Sequence, residues 1–174
     1  MTTIDLPILD AAVPPIASAD LEPDAQRLAA TLSELVRVVQ FRDRDRACCY
    51  DVSVSQCYAL KGVVEAGAMT VNDLAAFLYL DKSTASRIAN GLVEKKLIVR
   101  TRAATDGRIV LLVPTESGAE LHAKIESDLL TEYGALLRDF DPEVRAALTT
   151  LVGRLSRSFA ARVDTSNGTC CTVE

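Results

Sequence analysis

The chain has 174 residues, enough for one compact domain or for one domain with an appended module. It is 49% apolar, 25% charged and 5% aromatic, with no Trp, so its core is expected to be Leu, Val, Ile and Ala in helices packed on helices. The net charge of −5 makes no overall electrostatic case for nucleic acid, and no apolar run approaches the ~20 residues that span a bilayer.

Residues 1–20 contain Pro7, Pro14 and Pro15 and lack a basic n-region, so they read as a flexible arm and not as a signal peptide. A cytoplasmic location is expected, where thiols stay reduced. Residues 21–52 carry a helical stripe at Leu28, Leu32, Leu35 and Val39. The mixed charges of Arg42 to Arg46 extend or end that helix, and Cys48 to Asp51 form a connection.

Residues 53–114 change character. Ser53 to Ala66 reads as a helix with Val54, Cys57, Leu60, Val63 and Val64 inward and Gly67 after it. Thr70 caps a short helix from Val71 to Phe77, and Asp81 caps another that runs to about Lys96. Two short helices joined by a tight connection form the helix-turn-helix pattern. The period then becomes β-like over Leu97 to Arg102 and again over Arg108 to Val113, with a tight Asp106-Gly107 turn between. A hairpin directly after the second helix of such a pair is a wing.

Residues 115–164 read as two more helices. The first runs from Thr115 to Phe140; Asp141 caps the second, which Pro142 opens and which bears Val144, Leu148, Leu151, Leu155 and Phe159 in a coiled-coil-like seam. Helices at both ends have apolar stripes that a second copy of the chain would cover, although a single-chain bundle also accounts for them. Residues 165–174 read as a flexible tail. The fold class is therefore mainly α with a small β-hairpin wing: a winged helix-turn-helix domain plus a helical dimerisation module from the N- and C-terminal helices.

Between Asp81 and Arg108 seven basic residues stand against three acids, a local charge of +4 on an acidic chain. This is either a phosphate-seeking face or an ordinary solvated helix face. Ser83, Thr84, Ser86 and Arg87, small or basic at a helix N-terminus, suit base edges in a major groove. Lys82 and Lys95 suit phosphates. Arg108, at the tip of a thin hairpin, suits a narrow minor groove, with Asp106 holding it by a local ion pair.

This order of elements resembles the MarR family of regulators, from about Leu28 to Val163. The marks are Asp81 to Arg87 with Leu92, Val93 and Lys96, then Asp106-Gly107-Arg108, Leu111, Thr115 and Gly118. The resemblance implies a homodimer, a palindromic double-stranded operator, and repression relieved by a ligand or by thiol chemistry. It implies major-groove contact by Ser83, Thr84, Ser86 and Arg87 and minor-groove contact by Arg108. No cofactor is needed for DNA binding and no membrane partner is expected.

Five cysteines need an explanation in a reducing compartment. Cys48-Cys49 and Cys170-Cys171 are vicinal pairs, and Cys57 lies on the first turn of a helix. Thiolates select soft ions such as As(III), Hg(II), Cu(I) and Zn(II). The resemblance places Cys48 to Cys57 at the hinge between dimer helices and DNA-reading domain, where ligation of an effector such as As(III) would change the spacing of the two reading helices. An oxidant or electrophile switch stays open, as does a buried structural role for Cys57. A thiol-dependent enzyme is the rival from another class. It lacks Cys-x-x-Cys, a Gly-rich phosphate loop and a Ser-His-Asp set, and His122 is expected on the polar, solvated side of its helix.

Overall fold

The computed structural model describes residues 18–165, and the expectations for residues 1–17 and for Cys170 and Cys171 lie outside the described residues. Helix α1 spans Ser18–Cys49. It begins inside the stretch read as an arm and takes in the Cys48-Cys49 pair, which was expected in a connection. No Gly or Pro stands between Asp24 and Cys49 to stop it, and Asp51, at φ 53°, marks the turn that follows. Arg27 pairs with Asp24, and Arg37 with Glu34 at 2.6 Å, along its surface. Leu28, Leu35, Val36, Val38 and Phe41 of this helix are exposed.

Residues up to Arg46 and residues from Ala47 onward form separate units. In the second, α2 (Val54–Ala66), α3 (Val71–Phe77) and α4 (Lys82–Glu94) are each capped by the residue before them. Ser53 and Gln56, and Thr70 and Asp73, exchange side-chain and backbone bonds in reciprocal capping boxes. Ser53 is thus a cap and not the first helical residue.

α3 and α4 end alike. After α3, Tyr79 N–H donates to Ala76 C=O at 3.1 Å and Leu80 N–H to Ala75 C=O at 2.9 Å. After α4, Lys96 N–H donates to Val93 C=O at 2.9 Å and Leu97 N–H to Leu92 C=O at 3.0 Å. Both are Schellman ends, with Tyr79 (φ 53°) and Lys96 (φ 59°) in the left-handed position that usually holds Gly.

Strand β1 (Ile98–Arg102) pairs antiparallel with β2 (Val110–Pro114), with Ile98 opposite Pro114 and Arg102 opposite Val110. Met69, just before α3, adds a bridge to Leu112 through two backbone bonds of 3.1 and 2.7 Å. β2 is shorter at its start than the sequence suggests, so Arg108 and Ile109 belong to the loop 103–109. Gly107 is not left-handed there; the loop closes through Ile109 N–H to Asp106 C=O and Ala103 N–H to Ile109 C=O, both 3.0 Å, so no two-residue turn is required.

The core lies where these elements meet. Leu60, Val63, Leu74, Leu92, Ile98 and Leu112 are fully buried, one or two from each of α2, α3, α4, β1 and β2. Each such side chain contributes about 1.5–3 kcal/mol by leaving water.

Helix α5 (Glu116–Leu137) is tied to the base of the hairpin. The Thr115 hydroxyl donates toward Lys96 C=O at 2.8 Å and Leu97 C=O at 3.0 Å, and accepts from Gly118 N–H at 3.0 Å. Thr115 N–H also donates to Leu97 C=O at 3.0 Å. α5 stops three residues before the expected Phe140, and Arg145 closes the turn by donating to Phe140 C=O at 2.6 Å. Helix α6 (Pro142–Thr165) leaves Val144, Leu148, Leu151, Val152, Phe159 and Val163 exposed. No helix among the described residues is long and apolar enough to cross a membrane. The architecture is mainly α with one hairpin wing, as the sequence predicts.

Candidate nucleic-acid interface

The start of α4 is organised by one carboxylate. Asp81 accepts from Ser83 N–H at 2.9 Å and Thr84 N–H at 3.0 Å, which satisfies two amides that the helix itself leaves without partners. It also accepts from the Ser83 hydroxyl at 2.5 Å and the Thr84 hydroxyl at 2.7 Å. The Ser83 hydroxyl bond, with those from Thr84, holds the Asp81 carboxyl well below the usual carboxylate range, so it stays ionised.

Arg87 is exposed one turn along, and its Nη2 donates to Thr84 Oγ1 at 3.0 Å. Lys82 is exposed and Ser86 is half-buried. A residue the sequence reading missed extends this face: Asn90, exposed and three positions after Arg87, accepts from Arg100 Nη2 of β1 at 2.8 Å. The three- and four-residue period from Ser83 and Arg87 was the signal for it.

Lys95 is differently placed. Its ammonium, expected on a phosphate, donates to the Asp51 carboxylate at 2.9 Å and to the Asp51 carbonyl. In the wing, Asp106 does not form the expected ion pair with the Arg108 side chain. Its carboxylate accepts the Arg108 backbone N–H at 2.9 Å, because the side chain turns back on its own loop, and the Arg108 side chain is left exposed. Arg102 braces the same loop by donating to Gly107 C=O at 3.2 Å.

The thiols are only partly in view. Cys48 and Cys49 are the last two residues of α1, and their side chains lie outside the described residues. Cys57 is half-buried against the core, and its N–H already donates to Ser53 C=O at 2.9 Å. Among the described residues no three His, Cys, Asp or Glu side chains cluster to hold a metal ion.

His122 is not solvated as expected. Its side chain is 16% exposed, and its buried Nε2 finds no hydrogen-bond partner among the described residues, with the Glu126 carboxylate 3.9 Å away. Glu126 is engaged by Lys61 of α2 at 2.9 Å, a bond that raises the Lys61 pKa. Beside this pair, Tyr50 donates to Asp128, and the Lys124 ammonium lies 5.7 Å from the Tyr50 ring centre. The packing of α2 against α5 brings these groups together, which a single helical wheel does not reveal.

The sequence model described as MarR family matches residues 50–109, from the turn before α2 to the end of the wing loop. An uncharacterized HTH-type transcriptional regulator of Mycobacterium bovis, Mb0904, is 37% identical over 101 residues, covering 58% of this chain and 70% of that protein. The HTH-type regulator YxaD of Bacillus subtilis is 27% identical over 128 residues, covering 74% of this chain and 90% of YxaD. Among solved structures, FabT of Streptococcus pneumoniae in complex with DNA superposes with a TM-score of 0.71 at 19% identity, over 78% of this chain and 96% of that one, a likeness of fold. With a helix-turn-helix, a wing and a regulator of this kind alike along most of its length, the chain belongs to the MarR family of DNA-binding transcriptional regulators.

Proposed function

We propose that the chain acts as a homodimeric repressor on a palindromic operator, and that thiophilic ions such as As(III) release it by binding its cysteine thiolates. The observation that carries the DNA-reading part is the shared exposure of Arg87 on α4 and Arg108 on the wing, two cations on consecutive elements of a winged helix. They suit a major groove and an adjacent minor groove. The many large apolar residues left exposed on α1, and separately on α5 and α6, support a second copy as their cover. Ser83, Thr84, Ser86, Arg87 and Lys82 are the contacts on α4, and Arg108 is the contact on the wing.

The effector reading rests on softness and placement. A vicinal thiol pair closes α1, and Cys57 follows on the first turn of α2. Cys57 packs partly against the core, so drawing it toward a shared ion would disturb the domain that carries α4. The test is operator binding by fluorescence anisotropy on DNA from the gene's own upstream region. As(III), Hg(II), Zn(II) or peroxide is titrated in, with the Cys48→Ser/Cys49→Ser variant alongside. Release by one ion, lost in the variant, supports the proposal. Release by peroxide alone assigns an oxidation switch instead, and release by none removes the cysteines from the regulation.

A further inference from the structure

We propose that Asp81 and Thr84 are positioning residues that aim the Arg87 guanidinium at a guanine in the major groove. This rests on the reading of α4 as the DNA-reading helix. It changes the part given to Thr84, from a base reader to the orienter of one.

A threonine hydroxyl has one proton and two acceptor lone pairs. Thr84 gives its proton to Asp81 Oδ2 at 2.7 Å and accepts Arg87 Nη2–H at 3.0 Å. The direction of this relay is fixed by its ends. Asp81 stays ionised and only accepts, and a guanidinium only donates. Donating to a carboxylate also makes the Thr84 oxygen a better acceptor. Arg87 is exposed, and a long side chain in water samples many rotamers, so its tether to a helix neighbour three residues back removes freedom before DNA arrives.

One donor of Arg87 is held by Thr84, and a planar guanidinium has further donors in the same fork. Guanine presents O6 and N7, two acceptors in the major groove, and is the base edge that suits a bidentate fork. Ser83 fits the same scheme. Its only proton also goes to Asp81, at 2.5 Å, so what its exposed oxygen has left to offer is acceptor lone pairs, which suit an adenine or cytosine amino group. Asp81 itself brings a negative charge near phosphates, and four donors from Ser83 and Thr84 cover it.

The test starts by selecting preferred duplexes from a randomised pool with the full chain. Affinities are then measured for the selected duplex and for single base-pair variants of it. The readout is the ratio of affinities at one position, which a loss of folded protein lowers on both duplexes alike and so leaves unchanged. Arg87→Ala is expected to erase a preference of about 5- to 150-fold at one G·C pair. Thr84→Val keeps the shape, removes the hydroxyl, and is expected to bring the ratio at that same pair down to a few-fold. Asp81→Asn keeps a good cap but replaces the Oδ2 acceptor by a donor, and is expected to act in the same direction. Adding Thr84→Val to Arg87→Ala is expected to change the ratio no further. The proposal is overturned if Thr84→Val keeps the full ratio, if the two changes are independent, or if Arg87→Ala relaxes a pair other than G·C. A wild-type chain that selects no sequence overturns the DNA-reading assignment of α4 together with the proposal.

Discussion

The Lys95 ammonium, one residue beyond the end of α4, donates to the Asp51 carboxylate at 2.9 Å, in the turn between α1 and α2. The pair fastens the foot of α4 to the turn that follows Cys48-Cys49. Asp51 is almost fully exposed, at 96% of its side chain, so the pair contributes no more than about 1 kcal/mol. Its main effect is on where charge is available. Lys82→Gln is expected to lower the magnitude of the salt-dependence slope of DNA binding by about 0.9 per chain. Lys95→Gln is expected to lower it by distinctly less. Equal changes, measured by anisotropy across a salt series, would return Lys95 to the phosphate-contacting set.

Tyr79 and Lys96 both occupy left-handed positions at φ 53° and 59°. For a residue with a Cβ this conformation costs roughly 1–2 kcal/mol, partly offset by the entropy that Gly loses on folding. Tyr79→Gly and Lys96→Gly are each expected to raise stability by about 0.5–1 kcal/mol in urea unfolding. A loss of stability in either variant would mean that the side chain holds something its exposure does not suggest.

Gly118 sits where α5 passes Leu97. A Cβ there would lie 2.0 Å from the Leu97 carbonyl oxygen, which is backbone and cannot swing aside. Gly118→Ala is expected to destabilise the fold by about 1–3 kcal/mol or more, as overpacking does. Gly134, with nothing within 4 Å of a Cβ, is the control, and Gly134→Ala is expected to be neutral or stabilising. Equal melting temperatures for the two variants would contradict this packing.

The capping carboxylates set an acid dependence. Hydrogen bonds from Thr70 lower the Asp73 pKa, and those from Ser83 and Thr84 lower that of Asp81. A group whose folded pKa is depressed adds stability above its unfolded value, about 3.9, and loses it as pH falls below. The wild-type chain is therefore expected to lose more melting temperature between about pH 5 and about pH 2 than an Asp73→Asn/Asp81→Asn variant, whose caps do not titrate. Parallel pH profiles would show that the two caps are not linked to folding.

His122 carries a buried ring nitrogen without a partner among the described residues. Leaving such an atom unbonded costs roughly 1–3 kcal/mol, so His122→Leu is expected to be neutral or to stabilise by about 1 kcal/mol in thermal unfolding. A clear loss of stability would reveal a bond to that nitrogen.

The helices and their starts were legible because Thr70, Asp81, Thr115 and Pro142 are strong local signals. The inward residues of α2 and α4 were legible from a period of three to four, as Leu60, Val63, Ala85, Ala89 and Leu92 show. Helix ends were harder. Tyr79 and Lys96 take a place that Gly would have announced, and α1 runs on through Cys49 because no breaker precedes it. The Met69 bridge and the Lys95–Asp51 pair join residues far apart in sequence, so no local pattern carries them. At the candidate interface the caps and exposed cations were readable, but the direction of each bond was not. That Asp106 would hold a backbone amide and not the Arg108 side chain depends on the geometry of the loop.

The Leu97 carbonyl accepts both the N–H and the hydroxyl of Thr115, the N-cap of α5, at the point where α4 has ended and the hairpin begins. These three elements therefore share a single pivot. Leu97 N–H bonds back to Leu92 of α4, and Ile98 opens β1 directly after it, so the tie to α5 falls on the segment that joins helix to strand. A displacement of α5 at this point is therefore expected to act on α4 and on the hairpin together, and not on either alone.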